Sequence, residues 1–172
     1  LFRQWKFIFL LALSLSLLVG CGRSLDERAT AGIEATREIF DTNDKHHTDE
    51  IEGVKLYKPA GFEINENSDA QNIVFTKNDE PFILFINPNE ASDSELFYNL
   101  LLADENKEII EQATFSDKGI FGFAAVVKSE DGHIELITSV GGTKMTTVTK
   151  QNNIEENMAR MMEIVRSIKQ GT

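Results

Sequence analysis

From Lys107 to Lys150 the chain reads KEIIEQATFS, IFGFAAVVKS, HIELITSV and TKMTTVTK, parted only by Asp117-Lys118-Gly119, Glu130-Asp131-Gly132 and Gly141-Gly142. Apolar and polar residues alternate through these segments, which is the period of a strand with one face turned to a core. Each joint is short and carries glycine, the residue that supplies the positive φ of antiparallel hairpins. Four strands in a meander are therefore predicted, and whatever precedes or follows them must cover their apolar face.

Upstream, VKLYK and FEIN are predicted strands that meet at the turn Pro59-Ala60-Gly61. NIVFTK and PFILFIN follow, separated by Asn78-Asp79-Glu80, and the unbroken apolar run Phe82 to Ile86 predicts a strand covered on both faces at the centre of the sheet. Pro88 stops that strand. Ser92 with Glu95 has the spacing of a capping box and opens a helix through SELFYNLLLADE. At the other end, Asn153 with Glu156 caps a helix in which Ile154, Met158, Met161, Val165 and Ile168 recur at spacings of three and four. Before the strands, Ser24 with Glu27 opens a weakly amphipathic helix to Phe40, interrupted by Gly32, and DTNDKHHTDE from Asp41 to Glu50 has no apolar residue and reads as a linker.

Strands, helix, strands, helix, with no βαβ rhythm, predict the α+β class: a mainly antiparallel sheet of about six to eight strands with a mid-chain helix and a C-terminal helix packed on it. The chain divides into 1–20, 21–50 with the short helix and linker, and a single globular domain over 51–172. The order of elements, with YKPAGFEI ending an early strand and RSIK closing the last helix, resembles the PsbP-like fold over Ile51 to Lys169. That resemblance implies an accessory protein rather than an enzyme.

The first twenty residues have a different character. LFRQWK carries Arg3 and Lys6 and no acid, and Phe7 to Val19 is apolar apart from Ser14 and Ser16. This is the order of an export signal. A helix of that length rises about 20 Å against a hydrocarbon core of about 30 Å, too little to span comfortably. The stretch ends in Leu18-Val19-Gly20-Cys21, which resembles the lipobox of bacterial lipoproteins at every position of that short motif. The resemblance implies cleavage between Gly20 and Cys21, a diacylglycerol thioether on Cys21 and a fatty acid such as palmitate on its new amine. Two or more acyl chains, at about 0.8 kcal/mol per buried CH₂, give a stable anchor where one gives only a marginal one. The expected location is the outer face of a bacterial cytoplasmic membrane, and scarce Cys with abundant Lys, Asn, Asp and Glu points to a Gram-positive source.

The formal charge of the chain is −11, and loss of Arg3 and Lys6 with the leader takes it to −13. Nucleic-acid binding draws its affinity from Lys and Arg displacing counterions, so nucleic acid is an unexpected partner. Repulsion from anionic headgroups leaves the lipid, not the protein surface, to do the anchoring. Nine of the twelve phenylalanines lie between Phe40 and Phe123, enough for one core. Cys21 is the only cysteine, so the body has neither a disulfide framework nor a thiolate metal site.

Chemistry-bearing patterns are few. Asp41 to Glu52 partly follows a twelve-residue calcium loop, but Lys45 takes a ligand position and His46 the position where the turn requires glycine. His46 and His47 remain weak candidates for Zn²⁺ or Cu²⁺ with Asp44 or Asp49, and no cofactor is otherwise expected. His133 stands alone beside a turn. VGGTKMTT has the look of a phosphate loop, but its lysine follows threonine and its flanks read as strands, so Gly141-Gly142 is read as a hairpin turn. No GxSxG or SxxK occurs. The function expected is a membrane-anchored extracytoplasmic accessory or binding module, with an envelope protein as its candidate partner. The alternatives are an extracytoplasmic hydrolase whose site is scattered in sequence, and metal handling through His46 and His47.

Overall fold

The structure, a computed structural model, describes residues 22–42 and 45–168. Helix α1 (Leu25–Thr42) leads into a two-stranded ribbon, β1 (Asp49–Ile51) and β2 (Val54–Leu56). The main sheet takes β3 (Glu63–Ile64), β4 (Asn72–Lys77) and β5 (Glu80–Ile86), and, after α2 (Leu96–Ala103), β6 (Ile109–Asp117), β7 (Ile120–Lys128), β8 (Ile134–Val140) and β9 (Thr143–Thr149). Helix α3 (Ile154–Ser167) closes the fold. The seven strands lie in the order β3-β4-β5-β9-β8-β7-β6, every neighbouring pair antiparallel. The chain is thus α+β, as the pattern of elements predicts, and the meander β6 to β9 is as the glycine joints require. Lys118-Gly119 turns with φ of 46° and 78°, Asn78-Asp79 with 51° and 64°.

Two cores sit on opposite faces of the sheet. On one face, α1 and α3 pack against Phe75, Phe82, Leu84, Leu136 and Met145. The stripe read from α3 is there: Ile154, Met158, Met161 and Val165 are buried, and Met162 with them. On the other face, Phe97 and Leu101 of α2 cover Phe123, Ala125, Val127 and Ile137.

Several expectations are corrected. The helix assigned to 21–50 is part of the globule: Ala29 and Phe40 of α1 are fully buried in the core shared with α3. Gly32 does not interrupt α1. It is the point of closest approach to α3, because a Cβ there would sit 2.7 Å from Met158 Sδ and 2.8 Å from Ile154 Cγ2. The reciprocal capping box of α1 is formed as expected, with Ser24 N–H donating to Glu27 (2.8 Å) and Glu27 N–H to Ser24 Oγ (3.2 Å). The linker is shorter than its polarity suggests, since its last residues form β1, paired with β2 around Glu52-Gly53 (φ 47° and 88°). VKLYK therefore pairs backward with the linker instead of forward with FEIN across Pro59-Ala60-Gly61.

The run Phe82 to Ile86 is not covered on both faces and not central. It alternates, with Ile83 48% exposed, because α2 lies over β7 and β8. The strands buried on both faces are β7, from Gly122 to Val127, and β8, from Leu136 to Val140. Neither of the two later capping boxes forms. Ser92 uses its carbonyl on Phe121 N–H (2.9 Å), and Ser94 Oγ accepts from Leu96 N–H instead (3.2 Å). Asn153 makes no side-chain cap, and Glu156 is drawn to Lys77 at 2.7 Å, which holds its carboxyl below the usual range.

Candidate functional site

Where the β1–β2 ribbon meets the end of β5, the surface opens into a cleft of about 480 Å³. Val54, Ile86 and Ile168 make an apolar floor, and His47, Lys55, Gln71, Asn87 and Glu90 stand around it. That size falls in the range of small-molecule sites, and an apolar floor with a few polar groups is their usual make-up.

Local sequence builds each wall. The ribbon turn places Glu52 so that its carboxylate accepts from Ala70 N–H at 3.1 Å, closing the ribbon onto the loop before β4. Asp69 shapes that loop by accepting from Gln71 and Asn72 amides, each at 2.8 Å, and the Gln71 bond leads in holding its carboxyl below the ordinary range. On the opposite side, Asn87 Oδ1 accepts from Asn89 N–H (3.1 Å), an Asx turn at the Pro88 stop. Asn87 N–H in turn donates to Gly142 O at 2.8 Å, which ties the wall to the β8–β9 hairpin. Glu90 accepts from the Ser94 hydroxyl.

His47 Nε2 lies 2.8 Å from Ser167 O at the end of α3 and donates to it, so this ring nitrogen is taken by the backbone. His46 is exposed, and Lys45 turns to the buried Glu163 at 3.3 Å, where Arg160 also pairs at 2.9 Å. The segment is therefore clasped to α3 by one ion pair and one hydrogen bond. His46 and His47 do not converge with a third ligand: among the described residues no three His, Cys, Asp or Glu side chains come together to hold a metal ion. His133 is half-buried just before β8. Gly141-Gly142 is the β8–β9 turn, as read. Gly20 and Cys21, the predicted cleavage and lipidation site, lie outside the described residues. Among the described residues no helix is long and apolar enough to cross a membrane.

Comparison with known proteins shows no family. No family model matches the chain, and no curated protein matches it. Among solved structures it is similar to the cyanobacterial PsbP protein (CyanoP) of Synechocystis sp. PCC 6803, at 12% identity and a TM-score of 0.45, over 73% of this chain and 91% of that one.

Sequence reasoning found Pro88 only as the stop of a strand and missed the cleft. Its floor comes from Val54, Ile86 and Ile168, residues 114 positions apart at the extremes, and no local pattern joins them. The one available signal was His47 within a wholly polar stretch, which does mark the rim.

Proposed function

We propose that this chain is a membrane-tethered, extracytoplasmic binding module, held by lipid on Cys21, which seats a small and mostly apolar ligand in the cleft beside the ribbon. The observation that carries the reading is how the rim is used. His47, Asn87 Oδ1 and Glu90 are each engaged in bonds that shape the walls. The Lys55 and Gln71 side chains make no hydrogen bond among the described residues and stand ready for a ligand head group. No histidine side chain among the described residues bonds a hydroxyl, the pairing that activates a serine or threonine nucleophile. The acidic body and the lipobox support a protein anchored by its lipid and not by its surface.

Titration of the body from Gly22 onward with short-chain carboxylates and matching alcohols, followed by backbone NMR, tests the cleft. The expected result is shifts clustered at Val54, Lys55, Gln71 and Asn87, with affinity about tenfold weaker in Val54→Glu, the loss of about 1.4 kcal/mol. Shifts that cluster elsewhere, or that Val54→Glu leaves unchanged, contradict it. Turnover of ester, peptide or phosphomonoester substrates by the pure protein would favour the hydrolase instead.

A further inference from the structure

The face of the sheet that α2 covers is only half covered. Helix α2 starts beside the β6–β7 turn, where Ser92 O accepts from Phe121 N–H, and runs along β7 and β8 to Lys107, which pairs with Glu135. Beside it, β4 and the parts of β5 and β9 beyond Phe85 and Lys144 are left open. One cross-strand row there is Val74, Ile83 and Thr146, and Val148 stands two residues further along β9. Ile83 and Val148 are 48% and 50% exposed. The wall of this shelf is α2 itself. Leu100, three residues after Phe97 and so on the same side of the helix, is 56% exposed, and Leu102 is exposed as well.

The shelf also reverses the charge of the chain. Lys144 on β9 lies over the Phe97 ring at 5.1 Å, half-buried and lowered from its usual pKa chiefly by desolvation. The acid nearest in its field, Glu135, is already paired with Lys107. Lys150 continues β9 in extended backbone (φ −77°, ψ 160°) and leaves on the face of Val148. The exposed leucines of α2, in contrast, run directly into Asp104 and Glu105.

We propose that this face is an interface between two copies of the chain, the α2 helix of each lying on the open shelf of the other. A two-fold axis parallel to the strands achieves this, because it carries α2 of one copy to the side of the sheet that its partner leaves bare. The same patch then supplies both the projecting leucines and the surface that receives them, as an isologous contact requires. That axis preserves the direction of α2 along the strands. The end of α2 that carries Asp104 and Glu105 therefore arrives at the Val148 and Lys150 end of the partner shelf, acid against base. The cleft at the ribbon is left free by this arrangement, so the interface and the ligand reading stand or fall separately.

Light scattering on the full chain in mild detergent, corrected for detergent, tests the interface. The expected protein mass is twice that of one chain, halving in Ile83→Glu and in Leu100→Glu, both changes at exposed positions. Lys150→Glu should weaken association, and combining it with Asp104→Lys and Glu105→Lys should restore it. A monomeric wild-type chain overturns the proposal, and so does a dimer that survives both single substitutions. A dimer lost with Lys150→Glu but not recovered by the reversed charges overturns the α2-to-shelf docking.

Discussion

Replacing Phe40 by alanine lowers the free energy of unfolding by about 3–5 kcal/mol, the usual cost of emptying a buried phenylalanine site. The ring is fully buried near the C-terminal end of α1. It meets Phe115 of β6 at 5.4 Å between centroids, and the Arg166 guanidinium of α3 lies over it at 5.1 Å. Beneath it is Gly122 of β7, where a Cβ would come within 2.7 Å of the ring, so sheet and helix are shaped to one another at this point. Few neighbours can move to fill the space, because Arg166 is also held by Phe40 O (3.3 Å) and Asp117 (3.8 Å). A domain with a total stability of about 5–15 kcal/mol loses a large share of it. Urea unfolding of wild type and Phe40→Ala measures the difference. A loss under about 1 kcal/mol would mean that α1 is a tether and not a wall of the core, since one removed methylene alone is worth nearly that much.

Gly142→Val is the second large effect. Gly142 faces the loop at the rim of the cleft so closely that a Cβ would sit 2.6 Å from Asn87 O and 2.7 Å from Glu90 Cβ. The first of these is backbone and cannot turn aside as a flexible side chain would. Either the hairpin or the loop must shift, and the Asn87 N–H to Gly142 O bond goes with it. A destabilisation of about 2–3 kcal/mol is expected, at the upper end of overpacking costs. The loop should also lose protection: Asn87 amide exchange quickens far more than that of the β6–β7 ladder, which is remote from the change. Equal melting temperatures and unchanged Asn87 exchange would contradict the close packing described for the rim.

The parts of this fold that the sequence discloses are those governed by near neighbours. The hairpins of β6 to β9 follow from alternation and from glycines with positive φ, and the buried face of α3 follows from its three-and-four spacing. What was hidden depends on distant residues. Whether Phe82 to Ile86 is covered on both faces is decided by where α2 comes to rest, and that is set by Phe97 meeting Phe85 and by Tyr98 meeting Phe121 and Phe123. Asp49 to Ile51 form a strand although nothing local marks them as one, because Leu56 and Val54 opposite them anchor the ribbon to the core. Glu156 has the spacing of a capping residue but meets a stronger partner in Lys77, seventy-nine residues away. The cleft was hidden for the same reason, since its floor exists only once the ribbon, β5 and the end of α3 have been brought together.

The proposed anchor lies close along the chain to the globule that holds the proposed binding cleft. The described fold begins within a residue of Cys21, and the capping box of α1 opens at Ser24, so very little chain separates the proposed lipid from the globule. The lipid on Cys21 is therefore the central claim, and intact-mass analysis of the mature chain purified from bacterial membranes tests it most directly. The account predicts a chain that begins at Cys21 and carries diacylglycerol with or without a further acyl group, and a Cys21→Ala variant that lacks this mass and leaves the membrane fraction once cut. A mature chain with an unmodified Cys21, or a cut alanine variant that stays with the membrane, would contradict it.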